Sequence, residues 1–156
     1  MGVKRSAWAF AAIAAITMAG SVTAVQASAS AVAVVVKAEH LTGLRPDGST
    51  VEFMVKVVAE GADASSLVGE GRHFGSGGAL NYWPATGSID GSVVTLGGVV
   101  TDSNTPFLIG SPVDVEADSS TGATTLTFGP LAGGRFAGET IVADGVGMVS
   151  IKTKGE

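Results

Sequence analysis

No cysteine occurs anywhere in the 156 residues. That excludes disulfides and attachment of a lipid through a Cys after a signal, and leaves stability in an oxidising compartment to the hydrophobic core. Histidine is scarce as well: with only His40 and His73, a zinc site would need both rings plus distant carboxylates, so no metal and no cofactor is expected. Basic runs are missing, and nothing after Ala38 approaches the length of a membrane span. Aromatic residues make up 6% of the chain, with a single tyrosine and two tryptophans.

What is present begins with the order of a secretory signal. Lys4 and Arg5 precede an apolar run from Ala7 to Met18, and small residues follow, with cleavage expected after Ala27 or Ala29. The competing reading is an uncleaved anchor, since no charge occurs from Ser6 to Val36. Gly20, Ser21, Thr23, Gln26, Ser28 and Ser30 dilute the second half of that stretch and favour removal. The expected division is therefore a signal helix in 1–29 and a single all-β domain in 30–156, secreted or held in a periplasmic or extracellular space. Cleavage leaves seven basic against fourteen acidic residues, a formal −7. Such a balance argues against nucleic acid, whose binding rewards Lys and Arg. No stable membrane insertion is expected after cleavage.

Beyond residue 31, Val- and Thr-rich runs alternate with Gly, Asp, Ser and Pro, and helical periodicity is absent. The run 51–60, VEFMVKVVAE, sets Phe53, Val55, Val57 and Ala59 on one face and Glu52, Lys56 and Glu60 on the other. A matching strand is expected over 31–40, joined through the turn Pro46-Asp47-Gly48. Being uncharged and β-branched, AVAVVV is expected to pair inside the sheet and not at an open edge. Gly97-Gly98 suggests a bulge or bend. Residues 113–128 read as a hairpin with Asp114, Glu116 and Asp118 on its wet face. The end of the chain reads as two strands about a turn at Asp144-Gly145. About eight strands suit a small antiparallel β-barrel or, alternatively, a two-sheet β-sandwich.

Reactive residue types gather in 70–84, EGRHFGSGGALNYWP. His73 with Ser-Gly-Gly echoes the surroundings of a serine nucleophile, but no Asp precedes Ser76 and no G-x-S-x-G elbow is formed. The glycines lack the spacing of a phosphate loop. Asp114, Glu116 and Asp118 resemble the start of a calcium loop, yet Ser119 and Thr125 stand where the turn glycine and final glutamate belong, so a solvated acidic face is the simpler reading. The segment is best described as a flexible glycine stretch leading to the aromatic anchor Tyr82-Trp83. A Trp followed by Pro84 can equally plug one end of a barrel. Arg135 could line the same mouth.

The resulting expectation is an exported, non-enzymatic β domain that binds a small apolar or carbohydrate-like molecule near Arg72, His73, Tyr82 and Trp83. A structural or cell-surface domain that self-associates is the alternative. A small hydrolase using His73 ranks third, and no catalytic residue is assigned.

Overall fold

Period-two alternation builds the wall. The computed structural model describes residues 30–154, and the expected signal in 1–29 lies outside the described residues. Ten strands follow in order: β1 (Val32–Leu44), β2 (Thr50–Gly61), β3 (Leu67–Gly75), β4 (Leu80–Asp90), β5 (Val93–Val99), β6 (Asp102–Ser103), β7 (Pro112–Asp118), β8 (Ala123–Phe128), β9 (Ile141–Val146) and β10 (Met148–Thr153). Antiparallel pairing runs β1-β2-β3-β4-β5-β7-β8-β9, and β9 returns to β1 through Thr42↔Asp144 and Gly43↔Ala143. The sheet is thus a closed eight-stranded antiparallel barrel, which decides between the barrel and the sandwich. Closure removes the open edges that an extended sheet would leave.

The uncharged start of β1 is paired on both sides, with β2 along its length and with β10 from Val32↔Thr153 to Lys37↔Met148. Its even-numbered residues Val32, Val34, Val36 and Ala38 face the core. Between Ala38 and Leu41 the register slips, so that Glu39 and His40 together oppose Met54, and Leu41 then faces inward instead of His40. This bulge bends the strand and reverses its parity.

Two expectations about glycine are corrected. At Gly97-Gly98 no bulge forms, because the β5–β7 ladder passes through Gly97↔Asp114, Gly98↔Val113 and Val99↔Pro112 without a slip. Nor is Asp144-Gly145 a turn: both residues lie within β9, opposite Thr125 and Thr124. Gly145 sits against the bulge of β1, where a Cβ would come within 2.6 Å of the His40 carbonyl oxygen. The other two Asp-Gly pairs, Asp47-Gly48 and Asp90-Gly91, do turn the chain, with Gly48 at φ 82° and Gly91 at φ 59°.

Inside, Val, Leu and Ala from every long strand pack around Trp83, which is 2% exposed. Burying each Val or Leu contributes roughly 1.5–3 kcal/mol. The stretch read as flexible is strand β3. Its inward positions are Leu67, Gly69, Gly71, His73 and Gly75. At Gly71 glycine is required because the indole of Trp83 occupies the space a Cβ would take, at Gly69 because of the Val58 carbonyl, and at Gly98 because of the Pro84 carbonyl with the edge of the same indole 3.1 Å away. The large residue on β4 and the small ones on β3 and β5 therefore form one packing unit.

Candidate functional site

The four residues singled out from sequence separate into two pairs. Arg72 and Tyr82 are cross-strand partners on the outer face of β3 and β4, and both are exposed. His73 and Trp83, one residue further along each strand, point inward and are buried. Successive side chains on a strand face opposite sides, so the side chains of each adjacent pair project from opposite faces of the wall.

The inner pair makes a polar plug. Trp83 Nε1 donates to His73 Nδ1 at 3.2 Å. An indole N–H can only donate, so Nδ1 is an acceptor and the neutral imidazole carries its proton on Nε2. Asn81 Nδ2 lies 3.2 Å from Nε2, and Asn81 Oδ1 is buried without a partner, at a cost of about 1–3 kcal/mol. An amide's oxygen and nitrogen are told apart by their partners, and a protonated Nε2 calls for the amide to be turned so that Oδ1 accepts from it. Burial holds the imidazole pKa down to about 4, and the ring packs edge-on to Phe128 at 4.4 Å and Phe53 at 6.0 Å between centroids. Both ring nitrogens are committed within the core. Ser76 is occupied elsewhere, accepting from the Glu52 backbone N–H at 3.2 Å. Among the described residues no group of three His, Asp or Glu side chains is placed to hold a metal ion.

Above this plug the ends of β1, β2, β3, β4, β8 and β9 are covered by two loops, 104–111 and 129–140, which bury Leu108 and Leu131. Pro106–Leu108 forms a short 3-10 turn in the first loop, burying Leu108 and leaving Phe107 54% exposed. The loops are tied together: Ala132 N–H donates to Ser111 Oγ at 2.9 Å, the Phe107 ring rests on Gly134, and the Phe107 backbone carbonyl and Cβ lie against Gly133. Arg135 reaches across to form an ion pair with Asp47 in the β1–β2 turn, and it also stacks 4.7 Å over Phe136. A cleft of about 190 Å³ lies beneath, floored by Phe53 and Phe128 and walled by Phe107, Leu131, Phe136 and Ile141. Its charged residues, Arg45 and Arg135, contribute the only guanidinium groups of the lining.

Sequence reasoning named Arg135 for a mouth but missed the phenylalanines. Four of the five that follow residue 29 (Phe53, Phe107, Phe128 and Phe136) come together here. Phe53, Phe107 and the pair Phe128 and Phe136 stand tens of residues apart, and the fold of the barrel gathers them. The available signal was their position beside turn residues: Phe107 follows Pro106, Phe128 precedes Gly129-Pro130, and Phe136 follows Gly133-Gly134. Glycines 75 and 77, first noticed for their nearness to Ser76, also line the cleft. Comparison of the chain with known protein families, with curated proteins and with solved structures finds no match.

Proposed function

We propose that the protein is an exported, non-enzymatic binding module that takes a small apolar ligand in the cleft beneath the loops 104–111 and 129–140. The observation that carries this reading is the convergence of four phenylalanines on one cleft in a chain poor in aromatics. Apolar walls with a few directing polar groups are the usual chemistry of a small-molecule site. An apolar ligand is favoured over a carbohydrate-like one, because a sugar needs several polar partners and the cleft has its two arginines only. With each water taking about 30 Å³ of liquid, a space of about 190 Å³ suits a ligand of roughly ten non-hydrogen atoms or fewer. Arg72 and Tyr82 stand outside this site, while His73 supports its floor through Phe53 and Phe128.

Titration of the purified protein with 1-hexanol and with indole, followed by amide chemical shifts, tests the reading. Shifts concentrated at 104–111 and 129–140, weakened at least tenfold by the double substitution Phe107→Ala/Phe136→Ala, are expected. Absence of saturable shifts with either compound, or shifts centred on Tyr82 and unaffected by the double substitution, would overturn it.

A further inference from the structure

A row of three cations crosses the outer wall. Lys37, Lys56 and Arg72 stand directly opposite one another on β1, β2 and β3. These are three of the seven basic residues that follow the expected signal. Like charges in direct cross-strand register are unfavourable. Among the described residues only Lys37 of the three has a carboxylate partner, Glu39 at 2.6 Å. Met54, Phe74 and Leu80 lie beside the row and, with the three cations, line a half-open groove of about 340 Å³.

The same barrel carries the opposite pattern elsewhere. On β7, β8 and β9, Glu116, Thr125 and Asp144 stand in one cross-strand row, with Asp114 two residues from Glu116 on the same face. The Asp144 carboxylate accepts from Thr125 Oγ1 at 2.5 Å. None of Asp114, Glu116 and Asp144 is in an ion pair among the described residues. Gly97 leaves the Asp114 side chain room to lie on the wall. Neighbouring strands are about 4.8 Å apart, so Lys37 and Arg72 are separated by about 10 Å, as are Glu116 and Asp144. Lys56 and Arg72 in the basic row and Glu116 and Asp144 in the acidic row have no ion-pair partner among the described residues, and the two rows match in span.

We propose that the basic row of one copy docks on the acidic row of a second copy, head to tail. Both copies are net acidic, but that repulsion is screened beyond about 8 Å at physiological salt, whereas the facing rows would meet at contact distance. The two rows are centred on β2 and β8, three steps apart around an eight-stranded wall, a turn of about 135°. Because the contact joins two different surfaces, it continues from copy to copy as a ring or helical array and does not stop at a two-fold dimer.

Sedimentation velocity of the purified protein over a range of concentrations tests this at about 25 mM and 500 mM salt, where the Debye length falls from roughly 20 Å to 4 Å. Species larger than a dimer are expected to grow with concentration at low salt and to dissociate at high salt. Lys56→Glu/Arg72→Glu and Glu116→Lys/Asp144→Lys should each leave a monomer with an unchanged circular dichroism spectrum. Mixing the two variants should restore assembly that neither shows alone. A wild-type monomer under every condition overturns the proposal, as does assembly that survives both variants or is not restored by mixing folded ones. A monomer that instead retains a sulfated polysaccharide through Lys56 and Arg72 would assign the basic row to a polyanion and also overturn it.

Discussion

Arg72 and His73 are neighbours in sequence, as are Tyr82 and Trp83, yet the barrel wall separates the members of each pair. Outside, Arg72 and Tyr82 belong to a charged, solvent-facing strip. Inside, His73 and Trp83 are joined by a hydrogen bond in a region with no water-facing surface. The difference shows how one hairpin carries two unrelated chemistries, an exposed one open to partners and a sealed one that closes the barrel beneath its mouth. Breaking the inner pair should therefore affect stability first, and breaking the outer pair should affect stability least.

The largest effect is expected from Trp83→Ala. Removing a buried indole loses its transfer energy and leaves a cavity, at a cost of about 3–5 kcal/mol. Here the void would be bordered by Gly71 and Gly98, which have no side chains with which to fill it. His73 Nδ1 would also lose its donor. Urea denaturation gives the measurement, and a loss below about 1 kcal/mol would mean that the indole is not the centre of the packing.

That packing explains what the sequence disclosed and what it withheld. Strands β2 and β7 were legible because their inward positions are filled by Val, Phe and Ala while Glu, Lys and Asp face water. In β3 the inward positions after Leu67 are Gly, Gly, His and Gly, so the hydrophobic alternation that marks a strand is missing from it. Gly71 is small because its cross-strand partner is Trp83, and Gly69 because it lies against the Val58 carbonyl; both reasons appear only once the register of β3 on its two neighbours is known. The third Asp-Gly pair misled for a related reason. Gly145 is dictated by the bulge at Glu39-His40, about a hundred residues away in the chain, and not by a local turn. Closure itself, and with it the gathering of the four phenylalanines, depends on the long-range β1–β9 pairing. The sequence could limit the choice to barrel or sandwich, but it held no local mark for that contact.

Acid offers a second way to sharpen the inner–outer contrast. The unfolded imidazole titrates near 6.5, whereas burial lowers that of folded His73 to about 4. As pH falls through 6.5 the unfolded chain takes up the proton first, so stability is lost between about 6.5 and 4 and this group contributes no further loss below 4. At about 1.4 kcal/mol per unit, the loss is roughly 3 kcal/mol. Hydrogen bonds from Ser120 hold Asp118 down to about 2, and Ser49 and Ser65 likewise lower Asp47 and Asp63. Those carboxylates, with Glu39, stabilise above their unfolded values and lose that contribution as pH falls from about 5 through the lowered ones, so the upper part of the His73 window is free of them. Denaturation midpoints measured from about pH 7 to 5 should therefore slope in the wild type and run nearly level in His73→Gln, whatever that substitution costs at pH 7. Equal slopes in the two proteins would remove His73 as the cause.

Tyr82→Ala is expected to have the smallest effect. Tyr82 is 40% exposed on the outer face, opposite Arg72 on β3 and Asp102 on β6, and exposed substitutions usually stay within about 0.5 kcal/mol. The Trp83 environment should be untouched, so its fluorescence maximum serves as an internal control in a protein whose other tryptophan, Trp8, lies in the expected signal. Concentration makes the measurement more discriminating. Anything that binds only the folded state adds stability by mass action, and a second copy docked along Lys56 and Arg72 would cover the ground beside Tyr82. At high dilution the variant and the wild type should unfold alike. A gap that opens only as the protein is concentrated at low salt would mean that the outer pair is also buried, by another molecule instead of by its own barrel.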